Sequence, residues 1–166
     1  SATCAVEAGA ACVTLSSGLP PTLDVPIIYR DFTPATNPDF EILYWVGCAA
    51  AYDRRVQKIA RSTVRLLQAA QVNFAVLGPE ERCTGEAARR MGDELLFRQL
   101  AEQNVKTMSQ HKVRRIVAHC PHCVNSLRND YSQLGGQYEV VHHSQLLEEL
   151  VRDGRLKPNR DGVVGS

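Results

Sequence analysis

The chain has 166 residues, a formal net charge of +1, 44% hydrophobic and 22% charged residues. That is the size of one domain with a sizeable core, and its balanced charge gives no reason to expect nucleic acid or an anionic membrane surface as partner. No apolar run approaches the roughly 20 residues that cross a bilayer, and no basic segment followed by an apolar block marks a secretory signal.

Residues 1–39 read as an extended leader or linker. Ser16-Ser17-Gly18-Leu19-Pro20-Pro21 is turn chemistry, and Pro26, Pro34 and Pro38 interrupt the residues beyond it. Cys4 and Cys12 lie in this Ala-rich stretch, as spare thiols or as extra metal ligands. Glu41 to Val46 carries the β-branched and aromatic residues that strands favour, and Gly47-Cys48 ends it. From Asp53 the period becomes helical, with Val56, Ile59, Ala60, Thr63, Leu66, Leu67 and Ala70 as one apolar stripe. Arg54, Arg55, Lys58, Arg61 and Arg65 take the other faces, as a solvated surface or as a docking surface for an acidic redox partner.

Val72 to Leu77 predicts a second strand, stopped by Gly78-Pro79; the loop Glu80 to Gly85 holds Cys83, and a short helix spans about Glu86 to Met91. Asp93 is the expected N-cap of a longer helix to about Ser109, with Leu96, Leu100, Val105 and Met108 as its core residues. Arg114 to Ala118 is a third strand, and Pro121 suits the first turn of the next helix, where its missing N–H costs nothing. Tyr138 to Val141 is a fourth strand ending in His142-His143. A last helix runs from Ser144 to about Arg152, capped by Gly154, and residues 159–166 read as a tail. The domain proper is expected over 40–158. Strands alternating with helices over short connections predict an α/β fold: a small Rossmann-like parallel sheet of about four strands with helices on both faces.

This map places the cysteines. Cys48 follows the first strand, Cys83 the second, and Cys120-Pro121-His122-Cys123 the third. In a parallel sheet these positions share the carboxyl edge, where open α/β sheets bind ligands. A CxxC in such a chain indicates metal or redox chemistry in a reducing compartment, so cytoplasmic placement is expected, peripheral to a membrane only through partners. Four convergent thiolates bind zinc or an iron–sulfur cluster. Small flanks at Gly47, Thr84 and Gly85 leave room for inorganic sulfide, and the helix start at Cys120 turns free N–H groups toward the site; both favour the cluster. His119, His122, His142 and His143 end near the same edge, as packing residues or as hydrogen-bond partners of the thiolates.

Gly47-Cys48, then Cys83-Thr84-Gly85 after 34 residues, then Cys120-Pro-His-Cys123 after 36 more, resembles the cysteine-rich CCG domain found in the B-type subunit of heterodisulfide reductase and in related iron–sulfur oxidoreductases. Tyr44-Trp-Val-Gly-Cys48, Leu77-Gly-Pro-Glu80 and Tyr138-Glu-Val-Val-His-His143 are similar to the branch that works with electron-transfer flavoproteins and quinones. The resemblance covers about residues 40 to 157. It implies Cys48, Cys83, Cys120 and Cys123 as cluster ligands. Thr84 stands where the full motif has a second cysteine, so a [4Fe–4S] or smaller cluster is implied rather than the five-cysteine noncubane kind. Such proteins usually carry two of these domains and a ferredoxin-like domain, so a second CCG domain, a ferredoxin-like domain and a flavoprotein are the implied partners.

Three functions stand as expectations. The first is an electron-transfer module between a flavoprotein or ferredoxin and a quinone or disulfide acceptor. The second is a zinc-binding or metal-free assembly subunit. The third is a thiol–disulfide enzyme using Cys120 and Cys123, which leaves Cys48 and Cys83 without a role.

Overall fold

The computed structural model describes residues 32–158. The leader up to residue 31 with Cys4 and Cys12, and the tail from residue 159, lie outside the described residues. Already at its start the described chain is packed: Phe32 stacks on Phe74 at 4.8 Å between ring centroids, and its carbonyl accepts from Val76 N at 2.8 Å.

Four strands form one parallel sheet: β1 (Ile42–Trp45), β2 (Phe74–Ala75), β3 (Arg115–Ala118) and β4 (Glu139–His142), in the order β2-β1-β3-β4. Parallel neighbours need crossovers, and helices supply them. After β1 come α1 (Gly47–Tyr52) and α2 (Arg54–Ala69). After β2 come α3 (Glu86–Arg90) and α4 (Glu94–Gln110). After β3 comes α5 (Pro121–Asn125), prolonged by a π turn and a 3₁₀ turn to Leu134, and after β4 comes α6 (His143–Arg152).

Side-chain alternation along the strands divides the core in two. Ile42, Tyr44, Phe74 and Val117 face α2 and α6, packing with Ala60, Leu67, Leu146 and Leu150. Leu43, Trp45, Ile116 and Ala118 face the other way, packing with Phe97, Met108, Cys123, Leu127 and Tyr131. Both faces of a parallel sheet are thereby covered.

The cap expected at Asp93 forms, Asp53 adds another, and the last helix is capped at Asp153, one residue before the expected Gly154. Asp53 accepts from Arg55 N and Val56 N, and Asp93 accepts from Leu96 N. Cys120 is the N-cap of α5 with Pro121 at its first position. Several details differ from the sequence expectation. The strand expected over 72–77 is paired only at Phe74–Ala75, because Gly78-Pro79 already bends the chain into a 3₁₀ turn. On α2 the buried stripe is Gln57, Ala60, Val64 and Leu67 with Thr63, whereas Ile59 and Leu66 are exposed. Gln57 tolerates burial because its amide donates to Ala51 O at 3.3 Å. On α4, Phe97, Ala101 and Asn104 join Leu100 and Met108 inside, and Leu96 and Val105 are only part-buried. In both helices a stripe rotated by one position faces the sheet. The helix α1, carrying Cys48, falls where the sequence predicts only a strand end.

Candidate metal centre

The strand order reverses between β1 and β3, since β2 lies outside β1 on one side and β4 outside β3 on the other. The crevice at such a reversal, beyond the carboxyl ends of the strands, is where open α/β sheets take ligands. Cys48 leaves β1 in the first turn of α1, and Cys120 leaves β3 as the cap of α5. The two therefore flank the crevice, and Cys83 enters beside Cys48 from the loop after β2.

The thiols lie as two close pairs. Cys48 Sγ and Cys83 Sγ are 3.9 Å apart, and the side chains of Cys120 and Cys123 share a hydrogen bond. No disulfide joins any of the four. Beside Cys123 stands Gly47, at φ +76°; a Cβ there would lie 3.4 Å from Cys123 Sγ. The left-handed backbone of this turn out of β1 is what calls for glycine. Among the described residues, no three histidine, cysteine, aspartate or glutamate side chains close around one point tightly enough for a single metal ion.

The environment separates the two thiols of the CxxC. Cys120 is pulled down to about 6, chiefly by the Cys123 side chain and then by the backbone N–H groups of Cys123 and His122 at the start of α5. Cys123 is pushed up, as the donor in that shared bond and by burial. Opposite them Gly85 N donates to Cys83 Sγ at 3.5 Å.

Three residues that the sequence did not single out hold these loops. The Glu81 carboxylate accepts from Val46 N at 3.1 Å and Gly47 N at 2.6 Å, bracing the turn out of β1. Burial raises its pKa to about 8. Asn104, fully buried on α4, donates to Cys83 O at 3.1 Å and Arg82 O at 3.3 Å, and accepts from Arg82 N at 3.1 Å. It also donates to the Tyr131 hydroxyl, which donates in turn to Thr84 O at 3.2 Å. A polar side chain on the apolar stripe of α4 is the one signal that could have pointed to Asn104; the neighbouring pair Glu80-Glu81 offers no such signal for Glu81.

The flanking residues divide. Thr84 and Gly85 are buried in the Cys83 loop, with Gly85 at φ +79° against the backbone of Phe97. His122 pairs with Glu86 at 3.0 Å, and its charge bears on Cys120. His119 meets Tyr44 on the α2 side of the sheet, and His142 and His143 lie beside His119. Tyr44 Oη and His119 Nδ1 are 2.9 Å apart, His142 Nε2 donates to His119 O at 3.0 Å, and the His142 and His143 rings lie 4.3 Å apart. Cys123 belongs to the opposite core.

A family model for the cysteine-rich domain, CCG, matches residues 42–128, the stretch that carries the whole crevice. The chain belongs to the CCG cysteine-rich domain family. It is 42% identical over 127 residues to the EtfAB:quinone oxidoreductase of Syntrophomonas wolfei, covering 76% of this chain and 18% of the relative. It is 45% identical over 120 residues to the probable iron-sulfur-binding oxidoreductase FadF of Bacillus subtilis, covering 72% and 17%. A more distant relative is a subunit of the dihydromethanophenazine:CoB–CoM heterodisulfide reductase of Methanosarcina barkeri, 31% identical over 123 residues, 70% of this chain and 30% of the relative. The chain thus spans less than a third of the length of these curated relatives. No solved structure matches it. Among the described residues of this CCG domain, no helix is long and apolar enough to cross a membrane.

Proposed function

We propose that Cys48, Cys83, Cys120 and Cys123 ligate an iron–sulfur cluster, and that the domain passes electrons between a flavoprotein or ferredoxin and a quinone or disulfide acceptor. The observation that carries this reading is the delivery of two thiol pairs, from three strand ends, to one switch-point crevice. The donor set fits the group: four thiols, a side-chain-free turn at Gly47, and backbone N–H groups already turned toward Cys120 and Cys83. The names of the relatives, two of them iron–sulfur or quinone oxidoreductases and one a heterodisulfide reductase component, support the same class of work.

When bound, the cluster would supply one-electron chemistry. The chain's own residues favour the thiolate at Cys120, aim N–H donors at sulfur and wall off water with Trp45, Phe97 and Tyr131. With four cysteines and Thr84 in place of a fifth, a [4Fe–4S] cubane is the proposed type. The partners proposed are other redox subunits or domains: a second CCG domain, a ferredoxin-like domain and a flavoprotein.

Anaerobic purification with iron, acid-labile sulfide and zinc analysis tests this. The expected result is about four iron and four sulfide per chain, with broad absorption in the blue that bleaches on reduction. A colourless protein with stoichiometric zinc would overturn it in favour of a structural assembly subunit. Metal-free protein that reduces a small disulfide, and loses this in Cys120→Ser, would favour dithiol chemistry.

A further inference from the structure

Arginines elsewhere in the described fold are largely engaged. Arg89 pairs with Glu94 and Asp130, Arg115 with Glu139 and Glu149, and Arg155 donates to the carbonyls of Ala70 and Gln71. On α2 the pattern inverts. Among the described residues the side chains of Arg54, Lys58, Arg61 and Arg65 have no hydrogen bond or ion pair, and Arg55 has only Asp53, at 3.8 Å and exposed.

This arrangement works against the helix. The sequence of α2 contains no acidic residue. Arg54 and Lys58, and Arg61 and Arg65, are like charges at i and i+4, which repel on a helix surface. Arg54 and Arg55 also sit in the first turn, at the positive end of the helix dipole. The helix also exposes two large apolar residues, Ile59 at 46% and Leu66 at 38%. A cationic stripe through Arg54, Lys58, Arg61 and Arg65 that no acid in the described fold answers, with Arg55 and the exposed Ile59 and Leu66 along its flank, has the chemistry of a contact made with another molecule. Its position agrees. The N-terminus of α2 stands at the carboxyl rim of the sheet, separated from Cys48 only by α1, so a body seated there reaches toward the rim that carries the thiols.

Resting on the function proposed above, we infer that this face of α2 is the docking surface for the acidic side of a protein electron carrier. Carboxylates of the carrier supply the counter-charges that the helix lacks, Ile59 and Leu66 give the contact an apolar flank, and docking brings the carrier's redox group to the crevice rim. Such complementarity steers encounter and makes binding strongly dependent on salt.

The test uses the full 166-residue chain and, as probe, a purified acidic plant-type [2Fe–2S] ferredoxin, with binding measured by titration calorimetry at about 50 mM and about 300 mM salt. Binding is expected at low salt, weakened about tenfold or more by the R54E/K58E pair, less by R54Q/K58Q, and unchanged by K157E outside the face. The thermal midpoint of R54E/K58E is expected not to fall, since the change places acid at the helix start and sets opposite charge three residues before Arg61, so weaker binding cannot be charged to unfolding. Equal binding by all variants overturns the inference. So does binding to phosphatidylserine vesicles in place of the ferredoxin, or a homodimer that the charge reversal dissociates. Iron content is read on the same samples. Charge-sensitive binding by a chain without iron defeats the cluster reading and keeps the docking face; iron-loaded chain indifferent to R54E/K58E does the reverse.

Discussion

Asn104 lies 21 residues beyond Cys83 in the chain, yet its amide donates to the Cys83 carbonyl at 3.1 Å in a fully buried site. Through Arg82 and Tyr131 the same side chain closes a polar network around the loop that carries the cysteine. The Cys83 loop has no regular secondary structure of its own from Arg82 to Thr84. Its backbone groups are answered by α4 rather than by neighbours in sequence, and that fixes where the sulfur stands.

Asn104→Leu should therefore destabilise the chain by about 3 kcal/mol, because it removes the buried hydrogen bonds that the Asn104 amide makes to the Cys83 loop and to Tyr131. Denaturant unfolding measures the loss, and a chelator competition should show iron leaving faster. Asn129→Leu, the same exchange at an exposed position, should change stability by less than about 0.5 kcal/mol. Equal effects at the two positions would remove Asn104 from the site.

Gly47→Ala and Gly92→Ala form a matched pair. Both glycines have positive φ, +76° and +90°, but a Cβ at Gly92 meets nothing within 4 Å, whereas one at Gly47 reaches Cys123 Sγ at 3.4 Å. Each substitution should cost about 1–2 kcal/mol of backbone strain in denaturant unfolding. Only Gly47→Ala should also lower the iron bound per chain.

Acid should weaken the fold through His119 and His143. Burial, with His143 and His142 nearby, holds His119 down to about 4, and burial with His142 lowers His143. In the unfolded chain both titrate near about 6.5. Below that value the unfolded chain takes up protons that the folded chain refuses, so the stability is complete above about pH 6.5 and falls away toward about pH 4. The urea midpoint of the iron-free chain should drop between about pH 7 and about pH 4.5, and His119→Gln should flatten the drop. An unchanged slope in the variant would assign the acid sensitivity to other groups.

Serine at Cys48, Cys83, Cys120 or Cys123 should in each case lower iron content and bleach the visible spectrum. The same change at Cys4 or Cys12 should leave both as they are. Retention of a full spectrum in any one of the first four would reduce the ligand set to three.

The alternation of apolar runs with helical periods was enough to read a parallel α/β sheet, because burial on both faces of such a sheet leaves its mark on nearly every strand residue. Cys48, Cys83 and the Cys120/Cys123 pair were legible for the same reason: each follows a strand end, and parallel strand ends share one rim. Strand order was not legible. That β2 lies outside β1 and β4 outside β3, making the crevice between β1 and β3 the reversal point, depends on long-range pairing that no local period records. Nor could a helical period tell the stripe through Ala60 and Val64 from the one through Ile59 and Leu66, since both are apolar at the right spacing and only contact with the sheet chose between them. The histidines show the limit most directly. Spacing along the chain puts His119, His122, His142 and His143 at one edge. Side-chain alternation at the end of β3 carried His119 to the α2 face, where it meets Tyr44, while His142, in register with Ala118, caps α6 and reaches the His119 carbonyl. Hydrogen-bond partners of an irregular loop are supplied by whatever the fold sets against it, so Glu81 and Asn104 became visible only once the elements were in place.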